Sequence, residues 1–169
     1  FEVKEDFPLQ MGIGNYTANL TANYYEMHSQ SSGASTKLGT VAQASPSATL
    51  GWRIPVAVTG FGRSAIIQPR AQVTYVGGND RTADIPNRDA AEYRIDEANL
   101  FLTHRYQGKD YILPGTRADL GIAAAANDNT FGNVAGFVGI SRRLSGKPSA
   151  GLNTNQDDTY SDYVASLAM

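Results

Sequence analysis

Strict two-residue alternation constrains this chain more than any other feature. From Gly14 to Tyr24, Tyr16, Ala18, Leu20, Ala22 and Tyr24 fall in one phase, and Asn15, Thr17, Asn19, Thr21 and Asn23 in the other. Side chains alternate across a strand, so this stretch predicts a strand with one apolar and one wet face. The wet phase carries amides and hydroxyls instead of surface lysines. Such a face suits a water-filled interior, and tyrosines at both ends of the apolar phase suit a membrane interface. The pattern therefore points to an all-β fold, an antiparallel meander of a transmembrane outer-membrane β-barrel.

Four further stretches repeat the pattern. A second strand is expected over 45–58, with Ala48, Leu50, Trp52, Ile54, Val56 and Val58 apolar against Ser47, Thr49, Gly51 and Arg53. Pro55 donates no ladder bond and predicts a bulge or break there. A third strand over 64–76 sets Ile67, Ala71, Val73 and Tyr75 against Gln68, Arg70, Gln72 and Thr74, and a short turn at 59–63 makes the two a hairpin. Alternation returns at 116–126, where Ala118, Leu120, Ile122 and Ala124 oppose Arg117, Asp119, Gly121 and Ala123, and again at 131–144; a last strand opens near Tyr160. Residues 1–10 predict no strand, because Lys4, Glu5 and Asp6 interrupt the pattern.

Short turns alternate with long polar connections, as in outer-membrane barrels. The Ser/Gly/Thr-rich stretch 28–44 reads as loop. The longest connection covers about 77–115. It is too polar and irregular to cross a bilayer, so it must lie above the barrel or fold into its lumen. Leu100, Phe101 and Leu102 are three consecutive large apolar residues that a solvated loop would not keep exposed cheaply, and they predict packing against the wall, another loop or a partner. Asp96 to Ala98 would start a helix well, so 95–106 reads as a short helix, an irregular turn or a strand.

The phases assign faces. Asn15, Thr17, Asn19, Arg53, Arg70, Gln72, Arg117 and Asp119 are expected to face the lumen. Leu20, Trp52, Ile54, Val73, Leu120 and Ile122 are expected to face lipid. The arginines suit either phosphates or a neighbouring carboxylate such as Asp119, with the structural pairing favoured.

Composition trims the alternatives. A formal net charge of −2 and a pI near 5.6 give nucleic-acid binding no electrostatic support. No apolar run is long enough for a transmembrane helix. A mean hydropathy of −0.31 suits a barrel, in which only alternate residues meet lipid. The chain has no cysteine, and His28 and His104 are its only histidines, far apart in sequence. With no Gly-x-Ser-x-Gly frame, no enzyme, cofactor or metal site is expected. Asn127 to Gly132 lacks the closing glutamate of a calcium loop and reads as a hairpin turn. The chain opens on Phe1 and ends in what reads as a strand cut in mid-course, so a piece of a longer barrel is expected, one domain segment over 1–169. A soluble β-sandwich shows similar alternation, but its outer face usually carries Lys and Glu.

Several motifs in fixed order carry a resemblance. They are Pro69-Arg70-Ala71-Gln72 running to Tyr75-Val76, Ile85-Pro86-Asn87-Arg88-Asp89, Asp96-Glu97-Ala98-Asn99-Leu100-Phe101, Arg105-Tyr106-Gln107-Gly108-Lys109-Asp110, and Gly115-Thr116-Arg117-Ala118-Asp119-Leu120-Gly121. Over about 46–169 the chain resembles the C-terminal barrel of the LPS-assembly outer-membrane protein family, LptD. It departs from the family pattern at Arg88, Tyr111 and Pro114. The resemblance implies a middle part of the barrel of the lipopolysaccharide-export translocon, which inserts lipopolysaccharide (LPS) into the outer leaflet of the cell outer membrane. It implies LPS, outer-membrane lipid, an LptE-like plug lipoprotein and periplasmic LPS-bridge proteins as partners, the last through a domain absent from these residues. A porin-like channel and a soluble β-sandwich binding module are the alternative readings.

Overall fold

A computed structural model describes residues 1–27, 39–60, 63–78, 91–92, 95–107, 112, 114–128, 132–146, 159–160 and 163–169. Ten strands run in chain order: β1 (Glu2–Leu9), β2 (Gly12–Met27), β3 (Gly39–Arg53), β4 (Val56–Gly60), β5 (Arg63–Val76), β6 (Ala91–Glu92), β7 (Tyr106–Gln107), β8 (Gly115–Asp128), β9 (Gly132–Ser145) and β10 (Val164–Ala168). Eight of them form one sheet in the order β1-β2-β3-β5-β8-β9-β10, with β4 also on β5. Every pairing is antiparallel and follows chain order, so the sheet is a meander. It does not close on itself, as a segment of a larger barrel would not. There is no helix among the described residues.

The strands are long because alternation persists. β2 and β3 pair over fifteen positions, from Ile13↔Arg53 to Met27↔Gly39. β3 begins at Gly39, inside the stretch that reads as loop. Its small polar residues Gln43, Ser45, Ser47 and Thr49 are buried on one face, and Ala42, Ala44, Pro46 and Ala48 are exposed on the other. The expected break falls at Ile54-Pro55, between β3 and β4. Pairing with β5 resumes at Val56↔Ile67, and the Ile54 amide donates to the Pro69 carbonyl at 3.1 Å.

Residues 1–10 correct the sequence reading, because they form a strand. β1 pairs with β2 from Glu2↔Asn19 to Leu9↔Gly12. Its charges find partners that local pattern cannot reveal. Asp6 pairs with Arg53 at 2.9 Å, and Glu5 accepts a 2.7 Å hydrogen bond from the Tyr16 hydroxyl. The turn into β2 needs a glycine at position 12. Gly12 has φ +103°, and a Cβ there would lie 2.3 Å from the Arg53 carbonyl oxygen.

The long connection is partly described. β6 pairs with β7, Ala91 opposite Gln107 and Glu92 opposite Tyr106, and so ties together the ends of residues 93–105. Within them Asp96 and Asn99 cap each other, each side-chain oxygen accepting from the other's amide at 2.9 Å. The Leu100 amide donates to the Asp96 carbonyl at 3.0 Å. This is one turn rather than a helix: the Leu102 amide donates to the Asn99 carbonyl at 3.0 Å, and from Phe101 to Thr103 the carbonyls are taken by side chains of the sheet. The Ile85-Pro86-Asn87-Arg88-Asp89 motif, residues 108–111, the loop 147–158 and His28 lie outside the described residues.

Candidate functional site: the seat of an inward strap

One face of the sheet carries residues 95–105, a strap laid across five neighbouring strands. Among the described residues no such segment crosses the opposite face. The strap face presents the polar phase of each strand, and the open face presents the apolar phase. On the open face Leu20, Leu50, Trp52, Val73, Leu120, Ile122 and Val138 are all exposed. On the strap face Thr49, Gln72, Thr74, Asp119 and Ser141 are buried.

The centre of the seat is Asp119 on β8, which is fully buried. Its Oδ1 accepts from Arg105 Nη2 of the strap at 2.5 Å and from the Ser141 hydroxyl of β9 at 2.6 Å. Its Oδ2 accepts from Arg117 Nε at 3.3 Å. Arg105 spreads its fork further, with Nη1 donating to Ser141 Oγ at 2.9 Å and Nη2 to the Leu100 carbonyl at 2.5 Å. A buried charge is tolerable only when paired and hydrogen-bonded, and here one carboxylate serves two guanidinium groups and a hydroxyl.

The carbonyls of the strap are received by the sheet. Gln72 Nε2 donates to the Phe101 carbonyl at 2.9 Å. Arg117 Nη2 donates to the Leu102 carbonyl and, at 3.0 Å, to the Thr103 carbonyl. The Thr103 and Thr49 hydroxyls share a 3.1 Å hydrogen bond, and the Ser166 hydroxyl of β10 donates to the Glu97 carboxylate. A non-helical strand-to-strand segment buried on a sheet must have its backbone satisfied in this way.

Apolar contacts complete the seat. Leu100 is fully buried with Ile95, Phe137 and Val164. It lies over Gly139, where a Cβ would come within 2.4 Å of Leu100 Cδ2. Phe101 is half-buried, edge-on to Phe137 with centroids 6.3 Å apart, and the Arg70 guanidinium lies 4.3 Å from its ring centre. Leu102 points away and is 48% exposed.

Asn15, Thr17, Asn19, Arg53, Arg70, Gln72, Arg117 and Asp119 all lie on the strap face, and Arg70, Gln72, Arg117 and Asp119 meet the strap directly or through each other. Leu20, Trp52, Val73, Leu120 and Ile122 share the open face. Ile54 does not sit on a strand; it lies in the β3–β4 break, half-buried. Ser141 was not singled out by sequence, and Arg105 only as the opening of a motif and not as a partner of Asp119, although both complete the Asp119 cluster. The signal was the lone carboxylate itself, since an acid among the small and apolar residues of 118–126 implies a cation from elsewhere.

His104 immediately precedes Arg105 in the strap and is exposed at its surface. Partial desolvation of the ring by surrounding protein, then the nearby Arg117 charge, lower its imidazole below the usual histidine value, with Glu2 opposing. Among the described residues no group of His, Cys, Asp and Glu is arranged to hold a metal ion. Towards the tight turns, past the strap, the same face carries an open groove of about 590 Å³ lined largely by Ala57, Ile66, Ala125, Ala135 and Ala168.

The family model described as LPS transport system D, LptD, matches residues 2–169. The chain belongs to the LptD family. No curated protein matches it significantly. LptD membership assigns the chain a role in lipopolysaccharide transport and assembly, and it extends over β1 and β2, which carry none of the motifs behind the resemblance. Four of the elements that hold the strap coincide with those motifs: Arg70 and Gln72 on β5, Asp96 to Phe101 in the strap, Arg105, and Arg117 with Asp119 on β8. In this LptD chain the described parts of four of these motifs therefore form two complementary halves of one packed interface.

Proposed function

We propose that these residues form a stretch of the outer-membrane wall of a lipopolysaccharide-export translocon, the assembly that inserts LPS into the outer leaflet. The carrying observation is the two-faced meander within an LptD-family chain. The open face suits lipid: it is apolar through the middle of every long strand, with Trp52 towards the tight-turn end and the exposed Tyr24 and Tyr75 towards the other. The strap face suits a hydrated lumen, because it carries amides, hydroxyls and charged groups, among them Thr49, Gln72, Thr74, Arg117, Asp119 and Ser141.

Catalysis plays no part in this reading. A translocon wall needs a lipid-compatible exterior and a lumen whose polar groups can be wetted or covered. The strap narrows the lumen from one side. An LptE-like plug lipoprotein would fill the rest, and periplasmic bridge proteins would deliver LPS through a domain outside residues 1–169. In a porin-like channel, by contrast, the polar face would line an open pore. The strap disfavours that alternative, since it covers the middle of that face.

The test uses the full-length protein in depleted cells. Restoration of newly made LPS to the cell surface, without large ion conductance in planar bilayers, supports the export role. Conductance without any effect on LPS delivery favours the channel.

A further inference from the structure

Arg142 is a cation that the strap does not reach. It lies on the open face of β9, opposite Ala118 of β8, with its side chain exposed. Its guanidinium sits 5.0 Å from the centre of the Tyr160 ring. The two residues form an isolated antiparallel bridge, steadied by the Arg143 amide donating to the Thr159 carbonyl at 2.7 Å. Among the described residues no carboxylate forms a salt bridge with Arg142.

Its height on the strand matters. Gly132, at the tight-turn end of β9, is ten residues away. At about 3.4 Å per residue and a tilt of about 40°, that spans about 25 Å, the height of a barrel's apolar band. Arg142 thus falls at the far edge of the band, on the end where the exposed Tyr24, Tyr75 and Tyr160 also lie. Leu144, two residues further along the same phase, is 52% exposed.

We propose that Arg142 and Tyr160 form a contact site for the phosphate-bearing headgroup of an anionic lipid, at the long-loop edge of the open face. The proposal rests on the reading that this face meets lipid. An arginine without a carboxylate partner among the described residues is costly against hydrocarbon, but at the band edge its stem lies along apolar surface while its head reaches the headgroup layer. The guanidinium fork matches two phosphate oxygens, and the Tyr160 ring holds its plane through a cation–π contact. Ala118, opposite Arg142, and Ile140, two residues back along the same phase, offer apolar contact for the chains below the headgroup. A free phosphate ion would gain only the single exposed charge, whereas a lipid gains both, so the ligand is lipid.

The experiment places a fluorescent residue at position 144, or at position 20 as a distant control on the same face, in the full-length protein. Each protein is reconstituted with phosphatidylcholine and then with mixtures containing phosphatidylglycerol. Either lipid carries bromine on its acyl chains, and quenching gives the relative affinity at each site. Phosphatidylglycerol should be preferred at position 144 by roughly fivefold, the effect of one basic residue near an anionic surface. Arg142→Gln should remove the preference, Arg142→Lys should keep part of it, and 10 mM inorganic phosphate (a chosen concentration) should leave it. Equal quenching by both lipids at position 144, or a preference that survives Arg142→Gln, overturns the site. Loss of the preference to inorganic phosphate would assign the cation to a soluble anion instead and also overturns it. Position 20 separates the two levels: quenching there by both lipids shows that the face meets lipid, whereas no quenching at either position contradicts that reading and the site with it.

Discussion

Asp119 Oδ1 on β8 accepts a 2.5 Å hydrogen bond from Arg105 Nη2 on the strap, with the carboxylate fully buried and the guanidinium 5% exposed. The pair joins two elements that local sequence leaves unconnected. Removing one member of a buried pair strands the other, at a cost of about 3–5 kcal/mol. Arg105→Met should therefore release the strap. Hydrogen exchange of the full-length protein would read this as lost protection over 95–105, with β2 and β3 unchanged. Adding Asp119→Leu should restore part of the protection, because the fully buried carboxylate is then no longer stranded, while Arg117 loses that partner but keeps the strap carbonyls it donates to.

Gly139 tests the apolar half of the seat. A Cβ there would meet Leu100 Cδ2 at 2.4 Å, Phe137 Cζ at 2.8 Å and the Leu120 carbonyl oxygen at 3.0 Å. Gly139→Ala should cost about 1–3 kcal/mol through overpacking and displace Leu100. Gly136, on the same strand, would meet nothing closer than 3.6 Å, so Gly136→Ala should be tolerated. Proteolysis of the strap in the folded protein compares the two directly.

Two neighbouring residues of the strap should respond differently to charge. Phe101 lies against Phe137 and under Arg70, whereas Leu102 is 48% exposed. Phe101→Asp should impair outer-membrane sealing in a permeability assay at matched expression, and Leu102→Asp should be close to neutral. Equal tolerance of both would reduce the strap to a linker. Asp80, the other natural comparison, lies outside the described residues.

Much of this architecture is legible in the sequence, for one physical reason: a sheet with one dry and one wet face imposes period two on every strand. The alternation at 14–24, 64–76 and 116–126 and the break at Pro55 are all visible there. β1 is hidden because its stability comes from β2 and from the Asp6–Arg53 pair, both long-range. The start of β3 is hidden because Gln43 and Ser45 look like loop residues until their face is known to be polar. The Asp119 cluster is half visible: Arg117 and Asp119 share a strand phase, but Arg105 reaches them only through the path of the strap.

Depth on the open face should set the cost of an added charge. Ile122 lies well inside the strand, and Trp52 one residue from the tight-turn end of β3, where its Nε1 donates to the Met11 carbonyl at 2.8 Å. Ile122→Arg should destabilise the folded barrel by about 2–4 kcal/mol and Trp52→Arg by about 1 kcal/mol or less from charge alone. Denaturant titration of the full-length protein in lipid vesicles measures both.

The account stands on which face meets lipid, and a nitroxide scan along β3 tests it most directly. A spin label is placed in turn at positions 47–52 of the full-length protein in a bilayer. Collisions with oxygen, which concentrates in hydrocarbon, are compared with collisions with a water-soluble nickel chelate. The account predicts period-two alternation, with oxygen maxima at 48, 50 and 52 and little nickel access there. Nickel access at 48, 50 and 52 equal to that of a soluble surface, or oxygen maxima at 47, 49 and 51 instead, would contradict it.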